Sequence, residues 1–543
     1  MFNDAIDDQP HHQLCAGFEG VDMTTPPALL PPGMLSDGRN IICDGDGLAK
    51  NRPGLRLIDF VSGTTVDGAS SYFFNPRIRS LSYYDLPDGE FLMVGHDKKL
   101  LSLPSVENNI SATGIFVPGS STSPAYDTVQ MLDTIYYLQD GWLFWAKNTA
   151  GTWTNGYVIT FSDGSSMPLW GRIISHNFRL LLMEAEGYKL YTSAVAAAAL
   201  PANWVKTENI RVGTGTGDPA RGLVASQGGF ITMLNAQSVY QIDMTAAAVA
   251  NWSSLRVTAA TGCVQGRTAV AFGQDIYFLA RQGVVNLGSL TDTISISPSS
   301  TLSAPIQALI DRINWSNIGN AFATSWREFY LLAVALDSDT YPKHILAFHT
   351  RLKRWMPLWE FRGIHTQTQP AGAATTWLGF TAACVVNFGD KAETVLGDNC
   401  GRVLRLDATY HRDEFINGTP EEPISWLATR AMEHDATDTL KQPLLVEVEQ
   451  VDCASSNVVV GFLADGTSPI ATAYPTGWSS VLLGGTSYDP PSGVDRTRFS
   501  TRNRARFRQA VVQVGTTSTQ GGLRVRAVKN SAFLDVPQLD AAL

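Results

Sequence analysis

Hydrophobic and polar residues alternate along this chain in a recurring unit of two or three short apolar runs. The runs are rich in β-branched and aromatic residues and are joined by Gly, Asp or Asn turns such as Asp88-Gly89, Asp140-Gly141 and the turn at Asp398. This pattern is typical of antiparallel hairpins. Seven such units follow one another, at residues 78–103, 134–146, 172–192, 222–243, 268–287, 320–359 and 381–407.

Successive units begin about 38 to 61 residues apart, a range that brackets the spacing of four-stranded propeller blades. A four-stranded sheet cannot bury both of its faces alone, and radial stacking of several sheets covers them. We therefore predict an all-β fold with a β-propeller of six or seven blades between about Val61 and Ala408. No WD dipeptide or kelch glycine pair repeats, and two β-sandwiches in tandem are the alternative.

Two further segments flank the propeller. Residues 1–60 contain Pro26-Pro27 and Pro31-Pro32-Gly33, which disfavour a long helix or a central strand, so an extended N-terminal arm is predicted. Residues 415–543 contain five runs that largely alternate apolar with polar residues, as half-buried strands do. They predict a C-terminal β-sandwich with a long loop from Tyr474 to Ser492. The predicted propeller domain therefore spans residues 61–414.

Only two short helices are expected. Ala304 to Ile313 places Ile306, Leu309 and Ile310 on one face, and Ala194 to Leu200 is rich in alanine. Within the third to sixth units, four runs are each predicted as one long strand: Arg172 to Met183, Gly222 to Leu234, Thr268 to Leu279 and Asn320 to Leu336.

The composition argues against a duplex-binding protein and against a protein with membrane helices. The chain has 543 residues, 47 Gly, 27 Pro and a net charge of -10, which is the opposite of the clustered positive charge of duplex-binding proteins. No apolar stretch is long enough for a membrane helix, and the acidic start, Met1 to Pro10, is unlike a signal peptide. Synthesis in the cytoplasm, without a membrane partner, is the expectation.

The six cysteines are scattered without CxxC pairs, and free thiols are predicted. Cys384 and Cys400 are the one pair considered for a bridge between neighbouring strands. Their sequence positions leave that pairing open.

Each candidate site for chemistry has a simpler interpretation. Phe161 to Trp170 has the residue types of a sialidase Asp box but not its spacing, so a hairpin turn is predicted. Asp44-Gly45-Asp46-Gly47 lacks the later ligands of a calcium loop. Gly213 to Asp218 is glycine-rich but precedes a strand instead of a helix, which favours a loop over a phosphate cradle.

Histidines and aromatic residues add no site at this stage. His11-His12 lie in the arm, and the spacing of His344 and His349 points them to opposite faces of a strand. Ten aromatic residues inside the strands are assigned to packing between blades: Tyr83, Tyr136, Trp142, Trp145, Tyr191, Tyr240, Tyr277, Phe329, Tyr330 and Trp355. No catalytic residue, cofactor or metal is predicted, and we expect a protein that is not an enzyme.

Two motifs resemble virion proteins of tailed bacteriophages. The arm residues Pro31-Pro32-Gly33 and Lys50-Asn51-Arg52-Pro53-Gly54 resemble an opening in which a conspicuous Arg-Pro-Gly precedes a β-propeller. The sixth unit, with Phe329-Tyr330 to Val334, Ile345 to His349 and Arg354-Trp355, looks like a blade of the same proteins. The resemblance extends to the C-terminal strands that begin at Ile424 and end at Val528.

The resemblance implies a tail nozzle or tail tubular protein of a short-tailed phage. Such proteins form a ring, usually hexameric, that contacts adaptor and fibre proteins and lets genomic DNA pass without specific binding. An acidic chain suits a lumen that must not hold phosphate. A structural component of the virion tail, made in the host cytoplasm, is therefore the leading hypothesis, and a carbohydrate-binding or carbohydrate-active propeller is the alternative.

Overall fold

A computed structural model provides the fold, and it is dominated by strands. The structure describes residues 11–43, 45–60, 78–87, 89–96, 99–103, 113–115, 127–150, 152–185, 187–213, 217–225, 229–258, 261–273, 275–290, 301–361, 364–365, 376–377, 379–388, 391–399, 401–410, 412–413, 423, 425–432, 441–451, 458–464, 486–488, 494–500, 510–516 and 524–534.

The N-terminal arm contributes seven strands. They are β1 His11–Ala16, β2 Gly20–Val21, β3 Met34–Leu35, β4 Asp37–Arg39, β5 Ile41–Cys43, β6 Ala49–Asn51 and β7 Gly54–Phe60. Strands β2 and β3 pair with each other in parallel. The other five strands extend sheets formed by later parts of the chain.

The central part of the chain forms seven antiparallel sheets in sequence order, which we number as blades 1 to 7. Blades 1 and 2 contain β8 Ile78–Leu86, β9 Gly89–His96, β10 Lys99–Leu103, β11 Thr113–Ile115, β12 Asp127–Met131, β13 Thr134–Gln139, β14 Trp142–Thr149 and β15 Thr152–Val158. Blades 3 and 4 contain β16 Trp170–His176, β17 Arg179–Glu184, β18 Lys189–Ser193, β19 Trp204–Arg211, β20 Ala220–Ala225, β21 Phe230–Asn235, β22 Val239–Asp243 and β23 Ser253–Thr258.

The remaining blades are less regular. Blades 5 and 6 contain β24 Val270–Phe272, β25 Asp275–Ala280, β26 Gly283–Asn286, β27 Phe322–Trp326, β28 Phe329–Val334, β29 His344–His349, β30 Arg354–Trp355 and β31 Trp359–Glu360. A two-stranded pair, β32 Ile364–His365 and β33 Thr376–Trp377, comes before blade 7. Blade 7 contains β34 Phe380–Phe388, β35 Lys391–Asp398 and β36 Arg402–Asp407.

The seven sheets close into a ring. The first strand of each blade contacts the first strand of the next, in the order β8, β12, β16, β20, β24, β27 and β34, and β34 contacts β8. These seven strands therefore surround a central channel. The prediction of an all-β propeller with six or seven blades is confirmed, and the described residues form seven.

Closure of the ring depends on the arm. Strand β7 is the outer strand of blade 7, where Leu55 lies opposite Leu406 and Leu57 opposite Leu404. Blade 7 thus combines residues from both ends of the propeller sequence. The ladder therefore adds a hydrogen-bonded connection to the packing between blades, whereas each of the other blades is built from continuous chain.

The C-terminal part forms two sheets that the arm completes. Its strands are β37 Trp426–Ala428, β38 Lys441–Val451, β39 Val458–Ala464, β40 Thr486–Tyr488, β41 Val494–Ser500, β42 Ala510–Thr516 and β43 Arg524–Leu534. One sheet has the order β40-β41-β38-β43-β6-β5, with β1 also paired to β43, and the other has the order β39-β42-β37-β4. The predicted domain boundaries at residues 60 and 414 stay a prediction. Strands of the arm pair with strands from beyond each of these two positions in the sequence.

Several local predictions are corrected. The run from Arg172 to Met183 is two strands that turn at Asn177-Phe178, and Asn320 to Leu336 turns at Arg327-Glu328. Gly222 to Leu234 and Thr268 to Leu279 are also two strands each, β20 with β21 and β24 with β25. Ala194 to Leu200 is not helical, and Ala196 has φ of 56°. Among the described strands of the C-terminal part, β40 and β41 were not predicted, and β40 lies inside the predicted loop.

Helices are short. They are α1 Leu287–Leu290, α2 Gln307–Ile310 and the 3-10 turns Pro27–Leu29, Pro201–Asn203, Val249–Asn251, Gly266–Thr268, Ala304–Ile306 and Trp315–Asn320. The predicted helix at Ala304 to Ile313 is therefore present in a shorter form. Its predicted apolar face is buried, with Ile306, Leu309, Ile310 and Ile313 in the main core.

Candidate functional site

The Arg-Pro-Gly motif of the arm forms a junction between the arm, blade 6 and the segment that follows blade 7. Arg52 is fully buried and donates to Asn40 Oδ1 and Asp413 Oδ1, both at 2.9 Å. Its guanidinium also lies 3.7 Å from the centre of the Phe361 ring and donates to the Glu360 carbonyl. A buried charge needs such compensation, so Arg52 fixes where the arm enters the molecule.

The other two residues of the motif place β7. Gly54 donates to the Tyr410 carbonyl, and a Cβ on Gly54 would lie 2.2 Å from the Arg412 carbonyl oxygen. Only glycine permits that approach. Because β7 begins at Gly54, this motif determines how the closing strand reaches blade 7.

The sequence candidates for chemistry have structural roles. Asp163 of the Asp-box-like segment accepts hydrogen bonds from the Ser165 amide and hydroxyl, which bend the chain and lower the pKa of its carboxyl. Asp46 binds Lys50 and the Leu48 amide, while Asp44 lies outside the described residues. Residues 214–216 of the glycine-rich run also lie outside them.

The histidines and aromatic residues lie mainly in the core. His344 is buried, and burial lowers its pKa to about 4 although Glu360 and Asp339 oppose that shift. His349 is buried against the Phe329 ring. Of the ten aromatic residues assigned to packing, Tyr83, Trp142 and Trp145 are partly buried and the rest are buried.

Metal ligands, membrane-spanning helices and cysteines complete the set of candidate features. Within the part of the chain that the structure describes, no group of three or more His, Cys, Asp or Glu side chains is placed to hold a metal ion. No helix there is long and apolar enough to cross a membrane. Cys384 is a free thiol and burial raises its pKa, whereas Cys400 lies outside the described residues.

The central channel has a positively charged entrance at the N-terminal ends of the innermost strands. The residues that border the channel near that end include at least one from each blade or from the turn before it: Arg79, Asp127, Arg172, Arg221, Arg267, Asn320 and Thr381. The space at the entrance has a volume of about 470 Å³. We call it the channel entrance, and sequence analysis missed it because these residues are far apart along the chain.

Hydrogen bonds hold the entrance arginines across blades. Arg172 donates to the Arg221 carbonyl and to Gln265 Oε1, both at 3.2 Å. Arg267 donates to the Thr381 carbonyl at 2.6 Å. Deeper in the channel, Asp127 lies 3.8 Å from Arg172, and burial raises the pKa of its carboxyl against the lowering effect of Arg172.

An apolar surface lies at the opposite end of the innermost strands. Leu132 follows β12 in blade 2 and Phe178 lies in the turn after β16 in blade 3, with exposures of 50% and 65%. Both have φ of 56°, a conformation that bulky side chains rarely adopt. Val195 and Leu200 are exposed in the adjoining loop, where the Ala196 amide donates to the Phe178 carbonyl.

Comparisons with known proteins give distant structural likenesses. No protein family matches the sequence, and no curated protein matches it. The Pan2 WD40 domain of Neurospora crassa is 10% identical, covers 66% of this chain and 94% of its own, and gives a TM-score of 0.36. YCF48 from Cyanidioschyzon merolae is 9% identical, the alignment covers 66% of this chain and 99% of YCF48, and the TM-score is 0.39.

A third solved structure is PorZ, described as a surface component of the type-IX secretion system of Porphyromonas gingivalis. It is 13% identical, covers 68% of this chain and 44% of its own, and gives a TM-score of 0.34. The assignment of the propeller therefore rests on the sheet order and on the closure of the ring.

Proposed function

We propose that this chain is a structural component of the tail of a short-tailed bacteriophage. In this proposal it is one subunit of a homo-oligomeric, hexameric ring that forms part of the DNA exit conduit and carries fibres. The resemblance of the arm supports it, because the motif Arg52-Pro53-Gly54 is built into the junction that joins the arm to the propeller. A buried connection of this kind lets one chain act as a rigid structural subunit.

The observation that carries the proposal is the apolar surface of blades 2 and 3. Leu132 and Phe178 expose apolar area to water and also occupy a backbone conformation that Asn or Gly would adopt at lower cost. Backbone strain of this kind, at Leu132 and Phe178, often marks a functional position. Burial against another protein would offset the exposure of these side chains.

A second copy of the chain is the occupant that fits a ring. Blades 2 and 3 occupy only one side of the propeller. The apolar surface of one copy can therefore contact a different surface of the next copy, instead of the same surface. A head-to-tail contact between this surface and a different surface of the next copy closes into a ring when the rotation fits. In this proposal the chain acts through its shape and its contacts and needs no reacting group.

The test uses the double variant Leu132→Asn with Phe178→Asn. Asn tolerates positive φ, so the variant should keep or raise the melting temperature while losing the apolar contact. Sedimentation velocity should show rings for the wild-type chain, alone or with the neighbouring adaptor protein, and monomers for the double variant.

Ala150→Asn is the matched control, since Ala150 has φ of 50° in a hairpin of blade 2 and has no large apolar side chain to lose. The control should assemble like the wild type. Assembly of the double variant at wild-type concentrations would contradict the role of this surface, and a wild-type chain that stays monomeric under both conditions would contradict the proposed function.

A further inference from the structure

The channel entrance concentrates positive charge in a chain whose net charge is -10. Four arginines from four blades border it, namely Arg79, Arg172, Arg221 and Arg267. Among the described residues that line this space there is no carboxylate. Asp127, the acidic member of the surrounding ring, borders the deeper part of the channel.

Close backbone contact places two of these arginines beside each other. A Cβ on Gly266 would lie 1.9 Å from the Arg221 carbonyl oxygen, and a Cβ on Gly222 would lie 3.0 Å from the Gly266 Cα. Glycine at both positions lets blade 4 approach the 3-10 turn that holds Arg267. Arg221 and Arg267 therefore enter the same space from adjacent blades.

The hydrogen bonds around the entrance make its charges rigid. Arg172 is held by two acceptors from neighbouring elements, and Gln265 in turn donates to the Gly319 carbonyl. Groups held in place before a ligand arrives lose less conformational entropy when they bind it. Arg221 is exposed and borders the same entrance.

We propose that the channel entrance binds a small ligand that carries two phosphate-type groups. Arginine recognises such oxyanions with paired N–H donors, and several arginines around one space favour more than one anionic group. The volume of about 470 Å³ lies within the range of small-molecule sites. This site faces away from the apolar surface, so ligand binding and ring assembly are separate properties.

A purely structural role for the arginines is the competing explanation. Arg172 and Arg267 donate to carbonyls of other blades, and such contacts alone would brace the ring. That role predicts no binding of anions. The experiment must therefore change the charge without removing these braces.

Isothermal titration calorimetry of the full chain with pyrophosphate, in 50 mM salt, tests the proposal. Wild type should bind one pyrophosphate per chain, and orthophosphate should bind at least about tenfold more weakly because it has one anionic group. Arg221→Gln should weaken pyrophosphate binding by about tenfold with an unchanged melting temperature, since the Arg221 carbonyl that accepts from Arg172 is retained.

Arg256→Gln is the matched control, because Arg256 is an exposed arginine on the outer strand of the same blade. It should change the affinity by less than about twofold. Equal affinities in wild type and Arg221→Gln, or no heat with pyrophosphate, would overturn the proposal. Binding of duplex DNA without binding of pyrophosphate would also overturn it, because the site would then recognise a polymer.

Discussion

At the scale of single residues, buried charges in the arm connect its motif to the rest of the molecule. Arg52 and Asp413 are buried partners 361 positions apart in sequence. The sequence marked Arg52-Pro53-Gly54 as conspicuous, but no local pattern identifies Asp413 as the partner. Long-range ion pairs depend on the final packing, which local periodicity does not encode.

Replacing Arg52 with Ala should lower the free energy of unfolding by about 3–5 kcal/mol, because Asp413 would remain buried without its partner. Urea unfolding followed by circular dichroism measures the change. The double variant Arg52→Met with Asp413→Leu should lose much less, since it leaves no unpaired charge. Equal losses in the single and double variants would show that the ion pair is not the cause.

Asp37 gives the arm a dependence on pH. Burial raises its pKa to about 6, although the Gly38 amide and Arg39 oppose the shift. The folded state then holds the proton more tightly than the unfolded state, so the stability from this group is present below about pH 4 and is lost as pH rises through 6.

Asp37→Asn removes the charge and keeps an acceptor for the Gly38 amide. We expect the variant to be more stable than wild type at pH 7.5 by up to about 3 kcal/mol and similar at pH 3.5. Urea unfolding at both pH values is the measurement. The same difference at the two pH values would contradict a raised pKa in the folded protein.

At the scale of elements, the sequence predicted most hairpins and misplaced some turns. The turn at Asp140-Gly141 was located correctly. Asn177-Phe178 and Arg327-Glu328 were read as strand because they contain no glycine, and Phe178 extends the apolar pattern. Tertiary packing imposes positive φ on Phe178 and Arg327 there, which local preferences disfavour.

Gly54→Ala tests how β7 is placed. The new Cβ would approach the Arg412 carbonyl, so the start of β7 must shift, at a cost of about 1–3 kcal/mol in the free energy of unfolding. Gly319→Ala is the control, because no atom lies within 4 Å of its Cβ position, and it should cost less than about 0.5 kcal/mol. Thermal unfolding compares them, and equal costs would argue against the close approach.

At the scale of the whole molecule, the pattern of repeats indicated the propeller but not how it closes. The pairing of β7 with β36 joins Leu55 to Leu406, and the pairing of β1 with β43 joins Cys15 to Val528. Such distant pairs follow from the arrangement of complete sheets. The channel entrance was missed for the same reason, since its residues meet only when all seven blades surround one axis.

The central claim is that copies of this molecule assemble into a ring. Electron microscopy of the purified wild-type chain, alone and mixed with the neighbouring adaptor protein, tests it most directly. We expect closed hexameric rings, with blades 2 and 3 of each propeller at the contact with the next copy. Single, unassembled particles in both samples would contradict it.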